Sequence, residues 1–186
     1  MTDKKTGSLF PETKKPPNEK MPKKSRKKSS MDEALKKIQE TKDKKTRLKI
    51  IEEIAKSNEP WVCAVLIISL EDPIEDIRNF IIEEISRRED LDLKLLYQRL
   101  HKPPWYAKTG CLQILGSRKN ASSVNYIESL VNDPNIEVRR TLATVLGEIG
   151  GKKALALLTK LSEDKSSFVR IPALQALQEI SQVKFS

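Results

Sequence analysis

Residues 133–150 read Asp-Pro-Asn-Ile-Glu-Val-Arg-Arg-Thr-Leu-Ala-Thr-Val-Leu-Gly-Glu-Ile-Gly. Val138, Leu142 and Leu146 stand one residue before, three after and seven after Arg139, which puts them on one face of a helix. Shifting the frame by 30 or 31 residues brings the pattern back. Arg139 aligns with Arg47, Arg78, Lys108 and Arg170. The position three residues on reads Ile50, Ile81, Cys111, Leu142 and Ala173, and the one seven on reads Ile54, Ile85, Leu115, Leu146 and Leu177. The next position holds Ala55, Ser86, Gly116, Gly147 and Gln178, four of them small, as expected where neighbouring helices approach closely. A period of this length marks an array of helical units, each too small to bury its apolar face alone.

A second set of columns lies upstream. Leu35, Leu66, Leu96, Tyr126 and Leu157 are again 30 or 31 apart, and they predict a first helix in every unit with these residues as anchors. Asp72-Pro73 and Asp133-Pro134 predict an N-cap acceptor ahead of proline at the first helical position, and Asp164 stands at the same place in the last unit. Ser30 with Glu33 predicts a capping box that opens the first helix. Gly150-Gly151 separates the fourth and fifth units. No stretch alternates with period two, so the expectation is an all-α chain of five helical hairpins over residues 31 to about 183.

The remaining composition divides the chain. Residues 1–30 carry ten basic and three acidic residues with four prolines and few apolar ones, so a disordered basic tail is expected there and a repeat domain over 31–186. The body is nearly neutral, with 25 basic against 23 acidic residues. One histidine and two distant cysteines, Cys63 and Cys111, are too few for a His/Cys zinc site, and no metal or cofactor is expected. The same count argues for reduced thiols and an intracellular, cytoplasmic protein, or a nuclear one in a eukaryote. The longest apolar run, Trp61–Ile68, is eight residues, short of the roughly 20 that span a bilayer, and no apolar core follows the lysine-rich start to make a secretory signal.

Residues 133–150 resemble the second half of a HEAT repeat of the phycobilisome-lyase-like type. Residues 164–180 repeat the resemblance, and 72–85 do so more loosely. It implies a right-handed α-solenoid of the HEAT/armadillo type with the second helices lining a concave surface. It also implies that the basic column pairs with the turn aspartates, of the same or an adjacent repeat. On that reading Arg78, Arg139 and Arg170 are structural, because their own units carry Asp72, Asp133 and Asp164. Arg47 and Lys108, whose units have Thr41 and Lys102 there, are left free. HEAT-type di-iron hydroxylases use repeated His-Glu pairs, and the single His101 is followed by Lys102, which excludes that activity. No nucleophile–base grouping is legible, and a non-enzymatic scaffold for a protein partner is the expectation.

The candidate contact residues are Trp105 and Tyr106, which follow two prolines where other units have an aspartate, together with Arg47, Lys108 and Arg140. At the C-terminal end Ile171, Pro172, Leu174, Val183 and Phe185 fall outside the inward columns, and Ile171 and Leu174 are expected to mediate self-association or partner docking. In the tail Lys23, Lys24, Arg26, Lys27 and Lys28 form a run suited to nucleic acid or an acidic surface. That suggests a second role in which phosphates are held by the tail and by Arg47 and Lys108. Because the net charge is concentrated in the tail, deleting residues 1–30 should abolish most salt-sensitive binding to non-specific DNA or RNA. Full affinity in the truncated protein, measured by titration across salt, would place the cations in the groove instead.

Overall fold

The structure is a computed structural model that describes residues 23–183. Ten α-helices follow one another among these residues, and the expected five hairpins are all present. They are α1 (Lys23–Glu40) with α2 (Lys44–Ala55), α3 (Val62–Ser69) with α4 (Glu75–Arg87), α5 (Leu93–Arg99) with α6 (Trp105–Arg118), α7 (Val124–Ile127) with α8 (Ile136–Ile149), and α9 (Gly151–Leu161) with α10 (Ser167–Val183). The chain is an α-solenoid: α4, α6, α8 and α10 stack in order, and the first helices pack behind them. One continuous apolar core runs from Ile38 to Ala176. The second helices meet one another more extensively than the first helices do, so they form the inner, tighter layer of the stack.

The inward columns explain this core. Ile81, Cys111, Leu142 and Ala173 have no exposed surface, and neither do Ile85, Leu115 and Leu146. α3 is apolar on every side because it lies between α1, α4 and α5, and Val62, Val65 and Leu66 are fully enclosed there. The small column does what its size suggests. A Cβ on Gly147 would stand 2.8 Å from the Cβ of Ala176, so α8 and α10 touch through that point. Gly150, with φ 69° and ψ −167°, occupies a backbone region open essentially to glycine alone, and it ends α8 while starting α9.

Four local expectations are corrected. α1 begins at Lys23, so Ser30 lies inside the helix rather than at its cap, and residues 23–30 are helical rather than part of a structureless tail. The rest of that tail, residues 1–22, lies outside the described residues. Tyr126 is not a core anchor. Asn120, Ser122 and Ser123 favour local side-chain bonds over a helix, and the Asn120 carboxamide accepts from both the N–H and the hydroxyl of Ser122. The segment therefore runs as 3-10 turns (Ala121–Ser123 and Glu128–Asn132) around a short α7. Val124, Ile127 and Leu130, three apart, are buried instead, as a three-residue turn requires, and Tyr126 turns outward to stack on Tyr97 at 3.9 Å.

The aspartates of the Asp-Pro turns are not N-caps either. α4 starts at Glu75 and α8 at Ile136, three residues beyond each aspartate. Asp72, Asp133 and Asp164 instead accept the N–H two residues on, at 2.9 Å each, and so close the turn itself. Asn135 caps α8, accepting from Glu137 and Val138, and Asp43 caps α2.

Leu142 tests the register of the stack. Truncation to alanine should cost roughly 2–5 kcal/mol, read as a lowered denaturation midpoint, whereas an unchanged midpoint would show that the residue does not face the core.

Candidate functional site

The basic column runs along the turn edge of the stack, and its geometry is a relay. Arg47 grips Asp72 of the following unit with two bonds, Nε to Oδ2 at 2.5 Å and Nη2 to Oδ1 at 3.1 Å, while its Nη1 donates to the Thr41 carbonyl of its own turn at 2.7 Å. Arg139 does the same higher in the stack. Its Nε and Nη2 donate to Asp164 at 2.7 and 3.0 Å, and Nη1 donates to the Asp133 carbonyl at 2.7 Å. Lys108 has one donor group to offer and places it on Asp133 at 2.7 Å. Each cation therefore joins its own turn or helix to an aspartate 25 residues later.

This overturns the expectation for Arg47 and Lys108. They are not free, because the partner is the aspartate of the next unit and not of their own. Arg78 has no carboxylate partner among the described residues, and Lys102 stands where the aspartate of the next unit would be. Its Nη1 donates to the Asp72 carbonyl at 2.8 Å, and its guanidinium lies over the Tyr106 ring, 4.6 Å from the centroid. Tyr106 donates from its hydroxyl to the Glu71 carbonyl, and Arg99 pairs with the Glu71 carboxylate at 2.7 Å, so an aromatic and a second arginine bridge the junction that lacks the aspartate. Arg170 donates through Nη1 to the carbonyls of Asp164 and Lys165, and it has no carboxylate partner among the described residues.

A second relay, which sequence reading missed, runs along the opposite edge. Arg88, at the end of α4, donates to the carbonyls of Ala55 and Ser57 at 2.9 and 3.3 Å and is held by Asp90. Arg118, at the end of α6, donates to the carbonyls of Ile85 and Arg88. Carbonyls at the ends of α2 and α4 are thus satisfied from the next unit. The signal was available: Arg88 and Arg118 are 30 residues apart.

Nothing in this arrangement is poised for covalent chemistry. Cys111 is enclosed, and burial pushes its thiol up to about 12. Burial likewise raises the Cys63 thiol. The groove between α6 and α8, about 520 Å³, is lined by polar groups, including Gln113, Ser117, Lys119, Thr144 and Glu148. Arg140 also borders it and is paired with Glu137 of its own helix at 2.7 Å. Among the described residues no helix is long and apolar enough to cross a membrane.

The apolar surface is distributed unevenly. Trp105 is 43% exposed, Ile136 42%, Phe168 68%, Ile171 55% and Leu174 54%, and all five lie on α6, α8 and α10. Trp105 touches Tyr106 edge-on and does not fill the space between units two and four. Ile171 and Leu174 are exposed as the sequence suggests. Leu174 corresponds in the repeat frame to Ala143, which is buried beneath α10. The side chain of Val183 and all of Phe185 lie outside the described residues, as do the side chains of Lys23, Lys24, Arg26, Lys27 and Lys28.

Residues 93–178, which make up the third to fifth hairpins, match the protein family described as HEAT repeats. Among curated proteins, none matches the chain.

Asp164 gives a pH handle on the relay. The Arg139 bond holds its carboxyl below the ordinary aspartate range, with burial opposing and the Ser166 N–H assisting. A carboxyl lowered in the folded state contributes stability that is complete above its unfolded value, about 3.9, and is lost as pH falls through the lower folded value. Asp164→Asn should therefore cost stability at neutral pH, about 3–5 kcal/mol for a broken buried pair, and flatten the acid limb of the stability curve. Asp133→Asn, which loses a single bond from Lys108, should cost less. Equal losses, or an unchanged acid limb in Asp164→Asn, would count against the relay.

Proposed function

We propose that the protein is a non-enzymatic, cytoplasmic interaction scaffold that holds a protein partner on its solenoid surface. The observation that carries this reading is the set of large apolar side chains exposed on α6, α8 and α10, with Phe168, Ile171 and Leu174 close together on one helix. Contiguous exposed apolar surface on a folded protein more often marks a contact than an accident. The outer side of α10 adds Arg170, whose counterparts Arg47 and Arg139 each hold a carboxylate of the next unit, so this face is suited to a partner or a second copy that presents both apolar and acidic groups.

The whole stack, including its first two hairpins, is read as HEAT-type, and the phycobilisome-lyase-like subtype rests on the Asp-to-Val-Arg stretch at 133–139. A phosphate-binding role loses its groove residues, since Arg47 and Lys108 are occupied by Asp72 and Asp133. Any nucleic-acid contact is then left to the basic N-terminal residues.

Ile171→Glu combined with Leu174→Glu should leave the helical circular-dichroism signal intact and convert any oligomer to monomer or abolish partner capture. A wild type that sediments as a monomer at high concentration, with partner capture unchanged in the double variant, would remove α10 from the interface.

A further inference from the structure

Within the apolar surface that carries the scaffold reading, the first turns of the second helices form a rim that reaches past Ile171 and Leu174 to α6. Three residues ahead of the repeat cation stand Trp105 in α6 and Ile136 in α8, and two ahead stands Phe168 in α10. In units two to five the position immediately before the cation is buried, as Ile77, Ala107, Val138 and Val169 show, whereas Thr46 of the first unit is exposed. The first-turn residues are thus held on the rim by their enclosed neighbours. The rim is exposed in the first two units as well, and there it is charged: Lys44 and Lys45 in α2, Glu75 and Asp76 in α4. Solvent exposure at this place is therefore a property of the repeat, whereas the large apolar side chains belong to units three to five alone.

The spacing of the rim selects an occupant. Packed helices stand about 8–10 Å apart, and an extended chain in the polyproline II form advances about 3.1 Å per residue with three residues per turn, so every third residue of such a segment faces the rim and meets the next unit. A helix laid along the rim would meet it only every seventh residue. The charge pattern fixes the composition. Next to Trp105 in the stack come Glu75 and Asp76, exposed and without an ion pair among the described residues, so the segment needs a cation beyond its apolar residues.

Resting on the scaffold reading above, we propose that the rim formed by Trp105, Ile136 and Phe168 binds an extended segment of a partner protein that carries an apolar residue at every third position and a basic residue three further on, opposite Glu75 and Asp76.

The probe is a fluorescein-labelled decapeptide with arginine first, leucine at its fourth, seventh and tenth positions, and serine elsewhere. The full 186-residue chain should bind it saturably, read by anisotropy and by a change in tryptophan emission. Trp105→Ser and Phe168→Ser, both at exposed places and checked by circular dichroism, should each weaken binding roughly tenfold, as expected of an interface aromatic. Glu75→Lys with Asp76→Lys should weaken binding of this peptide but not of its version with serine first. The same leucines moved to every second position should bind less well. No saturable binding, or undiminished affinity in Trp105→Ser and Phe168→Ser, overturns the proposal. So does tighter binding by a stapled helical peptide with leucines seven apart. A partner captured through Ile171 and Leu174 while the decapeptide fails to bind rejects the rim and leaves the scaffold reading standing.

Discussion

The guanidinium that reaches from one turn to the next is the interaction on which the stack depends. A helical hairpin of about 30 residues buries little apolar surface alone, and apolar contact between hairpins is non-directional, so it does not set how one unit sits on another. Arg47 and Arg139 add direction. Each fixes its own turn through a carbonyl and the next turn through a bidentate carboxylate, and the planar fork accepts that geometry in few orientations. The aspartate is itself committed to its turn through the N–H two residues on, so a single carboxylate carries both the local turn and the contact between units.

The third unit lacks one member of the relay, and its junction is repaired by other means. Lys102 replaces the aspartate there, which leaves the half-buried Arg78 without a carboxylate. Arg78 answers by lying on Tyr106, and Arg99 with Glu71 supplies the ion pair from the other side of the junction.

The fold was legible because the repeat was. Leu142, Ile81 and Leu115 recur at one helical face through the chain, and no other architecture buries five such faces in sequence. Local details were less legible where a residue has two competing uses. Asp133 before Pro134 has the form of a helix cap, yet Asn135, two residues on, takes that role and releases Asp133 for Lys108. Tyr126 kept the repeat spacing but lost its place in the core because the serine- and asparagine-rich segment around it winds with three residues per turn. The pairing of Arg47 was not legible because a turn aspartate of its own repeat or of an adjacent one could serve the basic column, and the carboxylate that Arg47 holds lies 25 residues away in the next unit. For the candidate site, Ile171 and Leu174 were legible as breaks in the inward columns, whereas Ile136 and Phe168 became visible only once the buried neighbours fixed which way the first turns face.

The most direct measurement is a double-mutant cycle on Arg139 and Asp164, built from Arg139→Met, Asp164→Asn and the pair, with stability read from chemical denaturation at neutral pH. If the bridge between turns holds the units in place, the two substitutions are strongly non-additive, with a coupling of about 1–3 kcal/mol, because either one already removes the shared contact. Losses that add to within about 0.3 kcal/mol would mean that the two side chains act independently, and that apolar packing alone sets the stack.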